Sequence, residues 1–218
     1  MSRPRLLDLF CGAGGAARGY QDAGFHVTGV DIVDQPNYCG DDFIQADVLE
    51  MSSVGDVDLI HASPPCQAYS SATPSEHSHA DMYASTRNML EVIGLPYVIE
   101  NVIGAPYDHG IVLCGSMFDL EEDGEWIRRH RNFETSWLIF QPRHAHPVGQ
   151  RALLVTGHAF IAEPRDNPHS RQGPFDLACR LMGIDWMTRK ELVQAIPPAY
   201  TKFIGEAFLD ASLKGDRK

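Results

Sequence analysis

The first group in this chain with chemistry in it is a thiol on a stiff backbone. Cys66 follows Pro64-Pro65 and precedes Gln67, at the end of the apolar run Val57-Asp58-Leu59-Ile60-His61-Ala62. Two prolines remove backbone donors and disfavour helix, so the run reads as a buried strand whose end mounts the cysteine rigidly. A thiolate is a strong nucleophile and a competent leaving group, which suits reversible covalent catalysis. A lone cysteine is more often a small buried hydrophobe, so this assignment rests on what the fold brings beside it. A second set is Gly12-Ala13-Gly14-Gly15-Ala16-Ala17, which matches G-x-G-x-x-A, with Asp31 ending the next apolar stretch. Such a turn binds the phosphate or nucleoside part of NAD or of another adenosine-containing ligand, and a carboxylate at Asp31 suits ribose hydroxyls in either case.

The elements that must position these groups alternate. Arg5 to Phe10 reads as a strand, Ala16 to Ala23 as a helix closed by Gly24, and Phe25 to Val30 as the next strand. Further strands are expected at Phe43–Ala46, Val57–Ala62, Tyr97–Ile99 and Ile111–Cys114, with a helix from Met82 to Ile93. Short connections between alternating strands and helices imply a mostly parallel sheet covered on both faces. Ligands then sit at the carboxyl ends of the strands, so Gly12, Asp31, Asp47, Cys66 and Glu100 are expected along one edge, each just after a strand. Tyr69 to Ser75, mostly small and polar, is a loop suited to closing over a site. Gln141 to Gly173 is rich in Pro, His, Arg and Gly and contains one expected strand, Ala152 to Thr156. Helices return at Phe175–Met182, after the capping box Thr188-Arg189-Lys190-Glu191, and after Pro197-Pro198 to about Leu213, with a frayed end beyond. The division expected is a core over 1–140, a loop-rich insertion over 141–173, and C-terminal helices over 174–218 that pack back on the core.

Composition narrows the setting. With 44% hydrophobic residues in 218, one packed domain is expected. No apolar run nears the roughly 20 residues of a membrane span, and residues 1–5 lead directly into a strand, so a cytoplasmic protein is expected. Five widely spaced cysteines without a C-x-x-C pair argue for free thiols. His77-Ser78-His79 and His144-Ala145-His146 lack helical spacing and a nearby cysteine in sequence, so no metal is expected. The net charge of −11 opposes broad adhesion to nucleic acid but leaves room for a local basic groove from Arg128, Arg129, Arg131, Arg143, Arg151, Arg165 and Arg171.

Taken in order, Asp8-Leu9-Phe10-Cys11-Gly12-Ala13-Gly14-Gly15, Pro64-Pro65-Cys66-Gln67, Glu100-Asn101-Val102 and Arg129-His130-Arg131 resemble the DNA cytosine-C5 methyltransferase family over about Leu6 to Phe133. The resemblance implies a Rossmann-like α/β methyltransferase fold and S-adenosylmethionine as cofactor. Phe10, Gly12, Ala13, Gly14 and Gly15 would surround it, with Asp31 and Ile32 at the ribose, Asp47 and Val48 near the adenine, and Pro65, Gln194 and Ile196 completing the contact. It implies Cys66 as nucleophile on cytosine C6, Glu100 at N3 and the exocyclic amine, Arg131 near the base and Arg129 supporting the cysteine loop. Gln67, Ser70, Asn101 and Arg128 would meet the substrate.

Two features depart from the family pattern. Only about fifty residues separate Arg131 from Gly183, where the family usually carries a longer target-recognition segment. Gln194 stands where the family usually has asparagine, in Val193-Gln194-Ala195-Ile196-Pro197-Pro198. In both respects the chain resembles the short versions common in phage genomes, acting in a bacterial or phage-infected cell. The expected partner is DNA with a cytosine flipped from the duplex. The alternatives are a free cytosine nucleotide or single-stranded DNA as substrate, a modified donor, or a subunit that takes target recognition from a protein partner.

Overall fold

The computed structural model describes residues 2–66, 82–107, 109–155, 170–171 and 174–215. In chain order the strands are β1 (Arg5–Leu9), β2 (His26–Asp31), β3 (Asp42–Gln45), β4 (Leu59–Ala62), β5 (Tyr97–Asn101), β6 (Ile111–Leu113), β7 (Glu121–Glu122), β8 (Glu125–Ile127), β9 (Arg131–Thr135), β10 (Arg151–Leu153) and β11 (Ser170–Arg171). The helices are α1 (Gly15–Asp22), α2 (Met82–Ile93), α3 (Phe175–Met182), α4 (Arg189–Leu192) and α5 (Pro198–Gly215).

Seven strands form the main sheet in the order β3-β2-β1-β4-β5-β9-β6. The first five are mutually parallel, as the alternation of strands and helices requires. β9 enters antiparallel between β5 and β6, pairing Glu100 with Phe133 and Leu113 with Arg131. This pairing extends β5 through Asn101, so Glu100 lies inside the strand and not beyond Ile99 as expected from sequence. A second sheet, β11-β10-β8-β7, joins Arg151–Leu153 to Glu125–Ile127. The chain thus passes from the second sheet to the first through Arg128, Arg129 and His130. The insertion expected as loop-rich therefore pairs part of its length with β8, while Thr156 to His169 lie outside the described residues.

Apolar side chains fill both faces of the main sheet. On one face Leu6, Val27, Leu59 and Phe133 pack with Tyr20 of α1 and Tyr200 and Ile204 of α5. On the other, Leu7, Leu9, Ile60 and Ile99 pack with Tyr83 and Leu90 of α2. Glycine lets α1 and α5 touch closely, because a Cβ at Gly19 would collide with the Pro198 carbonyl and the Thr201 hydroxyl. Thr201 Oγ1 instead donates to Ala16 O at 2.9 Å. The capping box forms, with Glu191 accepting from Thr188 N at 2.6 Å and Thr188 Oγ1 at 2.7 Å. Glu191 also accepts from Asn37, tying α4 to the segment after β2. No helix among the described residues is long and apolar enough to cross a membrane.

Candidate active site

Parallel pairing places the carboxyl ends of β1 to β5 on one edge, where Gly12, Asp31, Asp47, Cys66 and Glu100 gather. The glycine turn is built by backbone geometry that needs those residues. Gly12 and Gly14 have φ of 49° and 85°, in the left-handed region. Gly14 N donates to Cys11 O at 3.1 Å, and the Cys39 thiol donates to Gly14 O at 3.1 Å. Phe10 shares the positive φ, at 57°, without being glycine. A Cβ at Gly15 would lie 2.6 Å from Ile196 O, whereas a Cβ at Gly12 would meet nothing within 4 Å. The turn is therefore sealed toward the C-terminal segment and open beside Gly12. Asp31 accepts from Gly12 N through Oδ2 and from Val33 N through Oδ1, both at 3.0 Å, leaving lone pairs free for further donors. An open glycine turn and a positioned carboxylate fit the adenosyl part of a cofactor.

Cys66 is half-buried in the loop after β4. Glu100, nearly buried, forms an ion pair from Oε1 to Arg131 Nε at 2.9 Å. Burial raises the Glu100 carboxyl above the ordinary range, against the pull of Arg131, Arg129 and a hydrogen bond from Ser63. Burial also raises the Cys66 thiol, and Glu100 adds to this, while Arg131 and Arg129 draw it down. The arginines therefore oppose burial without overcoming it. A polar chain missed in the sequence backs this pair. Tyr20 OH lies 3.0 Å from His61 Nδ1, and His61 Nε2 lies 3.0 Å from Ser63 Oγ. His61 is fully buried and its pKa falls to about 3, so the ring stays neutral and orients Ser63 toward Glu100. The only sequence signal was a polar residue interrupting the run Leu59-Ile60-His61-Ala62.

Other expected site residues are placed differently. Asn101 is buried and its Nδ2 donates to Pro64 O at 2.9 Å, so it clamps the Pro-Pro-Cys loop rather than opening to a substrate. Arg129 is buried and donates to Val155 O at 2.5 Å and Val193 O at 2.9 Å. It joins the residues after β10 and α4, so it is withdrawn from any basic groove, while its charge still acts on Cys66 and Glu100. Arg128 is exposed. Ile196 packs its side chain into the core with Ala16 and Ala17, leaving only its backbone against Gly15, and Gln194 is exposed. Ala13 is buried and accepts from Trp186 Nε1 at 2.9 Å, an anchor that sequence reading missed. Ile32 is exposed, and Asp47 caps the turn at Val48–Glu50 by accepting from Leu49 N at 3.0 Å. Val48 lines a cavity of about 530 Å³ with Leu9, Met51, Met89 and Ile93. Pro65 is exposed beside Cys66. Gln67, Ser70, the loop Tyr69–Ser75 and Arg165 lie outside the described residues.

Comparison with known proteins matches this geometry to a family. The C-5 cytosine-specific DNA methylase model matches residues 4–104, which contain the glycine turn, Cys66 and Glu100. The type II methyltransferase M.AquIA of Picosynechococcus sp. is 23% identical over 89% of this chain and 90% of its own length. S. pombe Dnmt2 methyltransferase superposes with a TM-score of 0.65 at 15% identity, covering 96% of this chain and 99% of that one. Entamoeba histolytica EhMeth gives 0.64 at 14% identity, covering 97% and 99%. The two superposed structures share the α/β fold of this chain. The glycine turn, the cysteine loop and the β5 carboxylate all lie inside the stretch, just under half of the chain, that matches the C-5 cytosine-specific DNA methylases, enzymes that use S-adenosylmethionine.

Proposed function

We propose that this chain methylates C5 of cytosine in DNA through a covalent bond between Cys66 and C6. The observation that carries the reading is the Glu100–Arg131 pair at 2.9 Å beside the Cys66 loop, on the edge that also holds the glycine turn. S-adenosylmethionine, when bound, supplies a methyl group on a sulfonium that an electron-rich carbon can displace. Gly12, Gly14 and Gly15 would give close backbone approach to it, Asp31 would take its ribose hydroxyls, and Val48 with the adjoining cavity would receive its adenine.

Carbon 5 of cytosine is a poor nucleophile, and the residues here are suited to changing that. Cys66 Sγ bonds C6 as a thiolate and pushes the C5–C6 π pair toward C5. Glu100, whose pKa burial raises, gives a proton to N3 from its protonated form as the ring gains electron density. Arg131, already paired with Glu100 at 2.9 Å, balances charge at the base and stabilises the Glu100 carboxylate once its proton has moved. After methylation C5 loses its proton to a base, Cys66 leaves with its electron pair, and Glu100 recovers the N3 proton. Asn101 holds the loop through Pro64, and His61 and Ser63 hold Glu100, so the two reacting groups keep their spacing.

Residues 141–173 would stand in place of a longer recognition segment, giving short or relaxed sequence specificity. The net charge of −11 favours a second reading, in which the same chemistry acts on a free cytosine nucleotide. Labelled S-adenosylmethionine offered with duplex DNA, single-stranded DNA and dCMP separates them. Transfer to duplex DNA is expected; transfer to dCMP alone would overturn the DNA reading, and full transfer by Cys66→Ala would overturn the nucleophile.

A further inference from the structure

We propose that Cys114, His130, His144 and His146 form a structural zinc site, which fastens the segment after β9 to the junction of the two sheets. Their ligand atoms all lie within 4.8 Å of one another, although the residues come from three separate stretches of chain. Cys114 directly follows β6, His130 lies between β8 and β9, and the paired histidines follow β9. Sequence spacing gave no cysteine near His144 and His146. The fold supplies one, because β6 and β9 are neighbours in the main sheet.

Distances support a shared ion. Cys114 Sγ is 3.8 Å from His146 Nε2, which is 3.0 Å from His144 Nε2 and 3.3 Å from His130 Nε2. Tetrahedral zinc with Zn–N of about 2.0–2.1 Å and Zn–S of about 2.3 Å puts its ligands about 3.3 Å (N to N) and about 3.6 Å (S to N) apart. The two N–N separations lie at or just below the first value, and the S–N separation lies just above the second.

Hydrogen bonding does not account for the cluster. One Nε2 carries either a proton or a lone pair, so His146 cannot pair in full with two other imidazole nitrogens and a thiol at once. A single electrophile uses every lone pair. One thiolate with three imidazoles is a borderline-soft donor set suited to zinc, and four protein ligands leave no open position for catalysis. The surroundings are built to hold these side chains. Cys114 is fully buried with Trp126 and Ala152, and the Trp126 ring packs on His146 with centroids 4.8 Å apart. Gln141 Oε1 accepts from Val112 N at 2.8 Å, bringing the incoming segment to the same strand.

The site is independent of the catalytic reading, so its test uses metal and spectra rather than methyl transfer. The full chain, purified reduced and without chelator from zinc-supplemented cells, should contain about one zinc per chain by elemental analysis. Cobalt substitution should give the visible bands of a tetrahedral ion and a near-ultraviolet thiolate-to-cobalt band. Cys114→Ser should remove the thiolate band, His144→Ala with His146→Ala should abolish tight binding, and Cys179→Ser should leave both unchanged. Folded wild-type protein, checked by circular dichroism, that holds no zinc and gives no tetrahedral cobalt spectrum would overturn the proposal. Stoichiometric copper or nickel instead of zinc would overturn the choice of metal. If a variant fails to fold, the wild-type cobalt spectrum still decides, since a thiolate band can arise at this cluster only through Cys114.

Discussion

At the residue scale, the proposed reaction asks opposite protonation states of two groups. Cys66 must lose a proton and Glu100 must keep one, yet burial raises both above their ordinary ranges. The reactive pair of states is then a minor one, and its population is level between the two pKa values. We therefore expect kcat/KM to rise with pH until Glu100 titrates, run flat, and fall once Cys66 has titrated. Glu100→Gln replaces the proton with a permanent amide donor, so its slower rate should keep climbing with pH until Cys66 is ionised. A pH profile unchanged by that substitution would contradict the role of Glu100. His61→Ala and Ser63→Ala act through Glu100 and should lower kcat while leaving the affinity for S-adenosylhomocysteine intact, measured by calorimetry. Cys66 and Glu100 were legible because short motifs name them. His61, Trp186 and the clamp at Asn101 were not, since their partners are backbone atoms or residues far away in sequence.

At the scale of elements, the site depends on loops held by single contacts. Asn101→Ala removes the donor to Pro64 O and leaves a buried carbonyl unpaired, a loss of about 1–3 kcal/mol. Thermal melting should show that loss, and transfer should fall as the cysteine loop loosens. Gly19→Ala drives a methyl group into the α5 backbone and should cost about 1–3 kcal/mol by overpacking, read as a lower denaturant midpoint. Asp8 on β1 is fully buried with no hydrogen-bond partner for either oxygen among the described residues, and burial followed by Asp31 raises its pKa well above the usual value. The unfolded chain releases that proton at a lower pH than the folded one, so this group lowers stability as pH rises through the ordinary carboxyl range. Asp8→Asn should therefore gain most over wild type at neutral and alkaline pH; equal gains at every pH would contradict a protonated Asp8. β1 to β5, α1, α2 and the capping box could be read from periodicity and turn residues. β7, β8 and β9 could not, because short strands between Glu121 and Thr135 are fixed by partners distant in sequence, β9 antiparallel to β5 and β6 and β8 parallel to β10.

The whole molecule is acidic, yet its proposed substrate is a polyanion, so binding depends on where the arginines face. Arg129 is spent inside the protein, and Arg128 beside it is exposed. A small set of phosphate contacts predicts a modest but definite loss of DNA affinity with salt, seen in a plot of log K against log salt concentration. A flat plot would favour a nucleotide-sized substrate. The fold class was legible from strand and helix alternation, whereas the second sheet depends on pairing between distant short strands. The central claim, attack by Cys66 on C6, is tested most directly with duplex DNA in which fluorine replaces hydrogen at C5 of the target cytosine. After methyl transfer no C5 proton can leave, so Cys66 cannot be released. With S-adenosylmethionine present, a protein–DNA complex that survives denaturation is predicted for the wild type and not for Cys66→Ser. No such complex from an enzyme that methylates ordinary DNA, or one that forms equally well with Cys66→Ser, would contradict the account.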